Sequence, residues 1–104
     1  MTRKELLEAA CMCVCGDRQE TYGKVEDNFN RIANFWTIYI GRDDLAFTAT
    51  DVAAMMALLK LARIASSTQD GAMPKADNWI DLAGYAACGS EAQDSDNTTH
   101  ATTI

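Results

Sequence analysis

The sequence predicts an all-α fold of four helices, and three observations lead to this class. Apolar residues recur at the i, i+3 and i+4 spacing of amphipathic helices in separate stretches, which glycine or polar segments divide. No stretch keeps the period-two alternation of a strand, because the β-branched and aromatic residues at 35–40 continue a helical period that begins at Val25. One stretch, 51–65, is apolar almost all round, which is typical of a helix that other helices cover.

The first two helices have recognisable ends in the sequence. Thr2 followed by Glu5 forms a capping box and predicts the start of the first helix, which Gly16 ends. The second helix is predicted from 24 to 40, and Gly41 closes it.

The segment 17–23 between these helices is polar and contains Arg18 and Tyr22. Loops of this composition often carry binding groups on a rigid scaffold. A solvated connection between two helices explains the same composition, so both readings stay open.

The third helix, predicted over 51–65, organises the rest of the chain. Twelve of its fifteen residues are apolar, and the exceptions are Asp51, Lys60 and Arg63. Thr48 or Thr50 can cap its start. Because burying an unpaired charge is costly, the two cations need acidic partners, a bound anion or access to solvent. A helix of this kind in so small a protein predicts a homo-oligomer in which a second copy covers it.

The fourth helix is predicted to begin near Asp77, which can itself be the N-cap, and to reach Cys88. Small residues on one face, Gly84 among them, would let it lie close to another helix. The chain after residue 91 has almost nothing to bury. We therefore predict one helical domain over 1–91 and a disordered C-terminal tail over 92–104.

Composition excludes several classes of function. Nine Lys and Arg against fifteen Asp and Glu give a net charge of −6 and no basic stripe, so binding to a nucleic-acid backbone is not expected. The longest apolar run is too short for a bilayer and contains Lys60, and the N-terminus is too charged for a signal peptide. These features predict a soluble protein of the cytoplasm with no membrane partner.

The four cysteines, at 11, 13, 15 and 88, do not follow the spacing of a zinc site. We expect them to be reduced residues in or near the core. The alternative is a thiolate metal site that includes Cys88.

Asp77 and Asp81 are the residues most suggestive of chemistry. They lie one helical turn apart on one face, with Tyr85 a further turn along, and such a carboxylate pair can hold Mg²⁺. Neighbouring helices could complete the metal site with carboxylates from Asp51, Glu26 or Asp27.

A phosphate ligand would find its counter-charges in Lys60 and Arg63. The aromatic residues that could stack on a base are Trp36, Tyr22 and Trp79. A reading without any ligand explains the same residues: Asp77 caps its helix and Asp81 pairs with Lys60 or Arg63.

Three pieces of the chain, GDRQETYGKVEDNF, DVAAMMALLKLAR and DNWIDLAGYAA, resemble in this order a family of small phage and prophage proteins of unassigned function. The resemblance covers about residues 15–91. It marks as motif positions Gly16, Asp17, Arg18, Tyr22, Gly23, Asn28, Phe29, Asp51, Lys60, Arg63, Asp77, Trp79, Asp81, Gly84 and Tyr85.

More distantly, the last two pieces resemble the MazG-like and dUTPase-like all-α nucleoside triphosphate pyrophosphohydrolases. That resemblance implies a MazG-like bundle, Mg²⁺ as cofactor and a nucleotide ligand, with Asp77 and Asp81 as catalytic residues. The metal ligands would be Asp77, Asp81, Asp51 and Glu26, and the ligand-binding side chains Arg18, Tyr22, Lys60, Arg63, Trp79 and Tyr85.

The E-x2-E motif of those enzymes is absent from this chain. Three hypotheses follow: a Mg²⁺-dependent (d)NTP pyrophosphohydrolase, a nucleotide sensor or sequestering protein without turnover, and a structural or partner-binding helical protein.

Overall fold

A computed structural model describes residues 1–16, 24–69 and 75–103, with side chains as far as residue 67 in the second range and residue 95 in the third. These ranges contain four α-helices and no strand: α1 (Arg3–Cys15), α2 (Val25–Ile40), α3 (Ala49–Gln69) and α4 (Ala76–Thr103). The predicted all-α class and its four helices are confirmed. None of the helices in these ranges combines the length and apolarity needed to cross a bilayer.

Local capping explains where three of the helices begin or end. The Thr2 hydroxyl accepts a hydrogen bond from the Glu5 amide at 3.1 Å, as the capping box predicts. Gly41 ends α2 in the left-handed conformation, with φ 69°, and donates its amide to the carbonyl of Thr37.

Thr48 and Asp51 cap α3 reciprocally. The Asp51 amide donates to the Thr48 hydroxyl at 3.1 Å, and the Thr48 amide donates to the Asp51 carboxylate at 2.9 Å. The start of α3 is therefore two residues earlier than predicted, and Asp51 has a structural role in its first turn.

The core lies mainly between α3 and α4, with α2 packed against them. Val52 is fully buried, and Ala53, Phe29 and Ala33 belong to the same cluster. A β-carbon on Gly89 would lie 3.1 Å from the Ala53 β-carbon, so the small residues allow the close approach expected for the fourth helix.

Helices α3 and α4 run antiparallel. Ala53 and Gly89 adjoin near one end of the pair, whereas Lys60 and Asp81 meet further along, so the residue number rises on one helix as it falls on the other. This direction fixes which residues can share a site.

The outer face of α3 is open to solvent in a single chain. Within the described residues of one chain no other helix covers it, and Met55, Leu58, Leu59 and Leu61 leave 43%, 63%, 42% and 43% of their surface exposed. A second copy over this face stays a prediction.

The last helix also differs from the prediction at both ends. It begins at Ala76, and the Lys75 carbonyl accepts from the Asn78 amide, so Asp77 lies within the first turn rather than at the N-cap. The backbone stays helical to Thr103, and Ala92, which we assigned to the tail, is 4% exposed and packs in the core. Side chains beyond residue 95 and residue 104 lie outside the described residues, so the division into a domain and a tail otherwise stays a prediction.

Candidate functional site: a cleft between α1, α2 and α4

Helices α1, α2 and α4 enclose an open cleft of about 370 Å³. Its apolar lining consists of Val14, Val25, Phe29, Ile80 and Gly84. Three polar side chains, Asn28, Asp81 and Tyr85, and two thiols, Cys13 and Cys88, line the same space. A largely apolar cavity of a few hundred Å³ with a few convergent polar groups is the usual form of a small-molecule site.

Close packing beside the cleft depends on Gly84. A β-carbon there would lie 3.2 Å from Cγ1 of Val14, so the absence of a side chain lets α4 approach α1. One residue later, Tyr85 stacks on Phe29 of α2 with ring centroids 6.1 Å apart and planes at 28°. This contact holds the half-buried Tyr85 ring in the wall between α2 and α4.

Asp81 is the one charged side chain among the described residues that line this cleft, and it is paired. Its Oδ2 lies 2.9 Å from Nζ of Lys60 on α3, and the two side chains are 31% and 12% exposed, respectively. Of the three options that the sequence left open for Lys60, the structure shows an acidic partner. Asp81 pairs with Lys60, one of the two cations that the ligand-free reading named for it. The pair neutralises the cleft wall next to the α3–α4 core.

Arg63 does not share this position. It is exposed, and no ion pair joins it to another residue in the ranges that the structure describes. Lys60 turns toward α4 and Arg63 toward solvent, and a single ligand that contacts both cations stays a prediction.

The predicted carboxylate set is spread over the fold. Asp51 lies nine residues before Lys60 on α3, which is about 14 Å along the helix axis. Asp77 is exposed at the start of α4. Glu26 lines a second depression, together with Cys15 and Glu91, rather than the cleft that Asp81 lines.

No group of three His, Cys, Asp or Glu side chains in the described ranges could hold a metal ion. The described residues therefore do not fit a Mg²⁺ site of the predicted composition. Metal binding by Asp77 and Asp81 stays a prediction.

The aromatic residues proposed for base stacking fall into three groups. Trp36 packs edge-on against Phe47 with centroids 5.8 Å apart, so it serves the core. Trp79 is 44% exposed near the start of α4 and does not line the cleft. Tyr22, like Arg18, lies outside the described residues. Of the predicted ligand-binding side chains, Tyr85 lines the cleft and Lys60 adjoins it through Asp81.

The four cysteines are free thiols, as predicted, and the half-buried Cys88 packs against the core. Cys13 is also half-buried, whereas Cys11 and Cys15 are exposed, which the prediction of positions in or near the core did not anticipate. Burial raises the pKa of the Cys88 thiol, and the charges of Glu91 and Cys15 raise it further. A hydrogen bond with Cys11 likewise raises the pKa of Cys15. Thiols with raised pKa values stay protonated at neutral pH and are poor nucleophiles.

The sequence marked Asn28 only as a motif position, and it suggested core positions or a thiolate metal site for the cysteines. Asn28, Cys13 and Cys88 line the cleft. Asn28 directly precedes the buried Phe29, so it projects from the border of the core face of α2. The Asn28–Phe29 pair at the end of the piece GDRQETYGKVEDNF was the feature of the sequence that could have indicated a role for Asn28.

Comparisons with known proteins agree on one kind of relative. Residues 5–93 match a family described as "Domain of unknown function (DUF6378)". The chain is 37% identical to the Gene 55 protein of Mycobacterium phage L5 over 81 residues, which are 78% of the chain and 47% of that protein. It is 33% identical to the Gene 55 protein of Mycobacterium phage D29 over 85 residues, which are 82% of the chain and 51% of that protein.

The chain thus spans about half the length of these phage relatives. No solved structure matches it. The predicted resemblance to small phage proteins of unassigned function is confirmed, and the chain is a phage-type protein.

Proposed function

For this chain, which belongs to the DUF6378 family, we propose binding of a nucleotide or a related phosphate compound in the cleft between α1, α2 and α4, without turnover. One observation carries the proposal: two motifs that are far apart in sequence meet in the cleft. Asn28 and Phe29 come from the piece GDRQETYGKVEDNF. Asp81, Gly84 and Tyr85 come from the piece DNWIDLAGYAA.

The chemistry of the cleft suits the base or sugar part of such a ligand. Apolar walls and the Tyr85 ring offer surface to a planar group. The Asn28 amide both donates and accepts hydrogen bonds, and the Asp81 carboxylate accepts them from N–H or O–H groups. These side chains lie on helices, which gives a ligand a preformed site.

The phosphate part needs positive charge, and Lys60 lies next to the cleft, with its Nζ 2.9 Å from the carboxylate of the cleft residue Asp81. A ligand phosphate would compete with Asp81 for the Lys60 ammonium group, which supplies up to three donors. Arg18, predicted as a second cation, and Arg63 remain candidates for the outer phosphates.

Binding without hydrolysis is favoured because the described carboxylates do not gather into a metal site and because the E-x2-E motif is absent. The distant resemblance to MazG-like pyrophosphohydrolases supports the nucleotide as ligand and the bundle as scaffold. A Mg²⁺-dependent hydrolase with Asp77 and Asp81 as catalytic residues is the alternative, with the nucleotide pool of the host-cell cytoplasm as the source of ligand.

Phosphorus NMR of the purified protein with a mixed pool of NTPs, dNTPs and Mg²⁺ separates these functions. The proposal expects broadening of the resonances of one ligand class, without new pyrophosphate or monophosphate signals. Asn28→Ala and Tyr85→Ala should abolish the broadening, whereas Leu7→Ala, on the exposed side of α1, should not.

Two other outcomes would overturn the proposal that this protein binds a nucleotide without hydrolysing it. Pyrophosphate production that Asp81→Asn abolishes would establish the hydrolase instead. A spectrum unchanged by the protein would reject a nucleotide ligand and leave the structural or partner-binding hypothesis.

A further inference from the structure

The outer face of α3 is an apolar surface that nothing else in the described chain covers. Every exposed residue of α3 from position 52 to position 62 is apolar: Ala54, Met55, Leu58, Leu59, Leu61 and Ala62. The spacing of Met55, Leu58, Leu59 and Ala62 is the i, i+3, i+4, i+7 pattern of a helix face that packs against another helix. Charged and polar residues reappear only at the ends, with Asp51 before this stretch and Arg63 after it.

We propose that this face is the interface of a symmetric homodimer in which α3 of one copy packs antiparallel against α3 of the other, with Leu58 near the twofold axis. The dimer uses the surface opposite the core that α3 shares with α4. It is therefore independent of the proposed ligand and leaves the cleft open.

The exposed area is of the size that a small dimer interface needs. We take the full surface of a large apolar side chain as roughly 150 Å², the lower end of the range for aromatic residues. At their exposed fractions, the four side chains then expose together roughly 300 Å² per chain: Met55, Leu58, Leu59 and Leu61. Two copies would bury roughly 600 Å², and since about 60% of an interface is apolar, the whole contact approaches 1,000 Å². That is about the lower limit for a specific interface.

Charge favours the antiparallel arrangement. A parallel pair would place the two Asp51 carboxylates side by side, and like charges at an interface oppose association. In an antiparallel pair centred on Leu58, the two carboxylates lie at opposite ends. Each then lies near the end of the partner helix that carries Arg63, the exposed cation of α3. The alanines between the large side chains let the two helix backbones approach closely.

Light scattering after size-exclusion chromatography and sedimentation velocity over a dilution series test the proposal. The wild-type protein should have twice the chain mass of 11.3 kDa at high concentration. Leu58→Glu should weaken association by about 30-fold or more, because it buries a charge at the centre of the interface. Circular dichroism should show the helix content unchanged, since Leu58 is 63% exposed and outside the core.

Two matched controls isolate the face. Leu7→Glu changes an α1 leucine of equal exposure, 63%, and Ile38→Glu changes an α2 residue that is 76% exposed. Both variants should remain dimers. A wild-type protein that is monomeric at every concentration would overturn the proposal and point to a different protein as the partner of this face. A Leu58→Glu variant that still dimerises would also overturn the proposal. If Ile38→Glu then dissociates the dimer, the interface lies on α2 instead.

Discussion

Removing the Asp81 carboxylate is the most informative single change in this chain. In Asp81→Ala, the Lys60 ammonium group loses the oxygen that lies 2.9 Å from it. The Lys60 side chain is only 12% exposed, so its charge stays largely in the protein interior without that partner. The stability of the fold should therefore respond, whatever the cleft binds.

The magnitude follows from the burial of the pair. Breaking a fully buried ion pair by removing one partner costs about 3–5 kcal/mol. Asp81 is 31% exposed and the lysine stem can move its head toward water, so solvent screens part of this cost. We expect Asp81→Ala to lower the free energy of unfolding by about 2 kcal/mol, which for a domain of this size lowers Tm by about 8–16 °C.

Urea denaturation followed by circular dichroism measures this loss, and Asp77→Ala is the matched control. Asp77 lies one turn earlier on α4 and is exposed, so its replacement should change stability by less than about 0.5 kcal/mol. The double variant Asp81→Ala/Lys60→Met should be more stable than Asp81→Ala alone, because the unpaired buried cation is gone. A loss below about 0.5 kcal/mol for Asp81→Ala, or no recovery in the double variant, would refute the reasoning.

Three further predictions concern the fold and the thiols. Gly41→Ala forces a β-carbon into the left-handed C-cap of α2 and should lower the free energy of unfolding by about 1 kcal/mol in urea; an unchanged midpoint would contradict the positive φ. Val52→Ala removes two methyl groups from the fully buried position and should cost about 2 kcal/mol, so a loss near zero would place Val52 outside the core. Cys88 should react with iodoacetamide more slowly than the exposed Cys11 near neutral pH, because burial raises the Cys88 pKa and keeps the thiol protonated. Mass spectrometry of the two cysteine-containing peptides measures both rates, and equal rates would contradict the prediction. Since the folded state holds the Cys88 proton more tightly than the unfolded chain does, the same shift is a stabilisation that is present below the ordinary pKa of 9.0 and is lost as the pH rises above it.

The helices could be predicted because their determinants are local. Thr2, Gly41 and the pair of Thr48 and Asp51 cap helix ends through contacts within a few residues, and these signals are readable in the sequence. The extension of α4 could not be predicted in the same way. Ala92 is buried by α3 and α2, and the residues after it carry no apolar period of their own that would announce a helix.

The site was predicted in part, and the limit is again a matter of distance along the chain. The sequence indicated that Lys60 needs an acidic partner, a bound anion or access to solvent, and Asp81 supplies the first of these. Which carboxylates share a site depends on the antiparallel packing of α3 and α4, which separates Asp51 from Asp81 although both looked equally available. The contribution of Asn28 to the cleft depends on how α2 lies against α4, and single-sequence patterns do not contain that information.

A nitrogen–proton correlation NMR titration of the isotopically labelled protein with nucleotides tests the central claim most directly. If the cleft is the binding site, the amide resonances of Asn28, Gly84 and Tyr85 should shift together and saturate with one ligand class. Those of Leu7 and Ile38, which are exposed and outside the cleft, should stay in place. Saturable shifts confined to other surfaces, or no shift with any nucleotide, would contradict the assignment of a nucleotide ligand to this cleft.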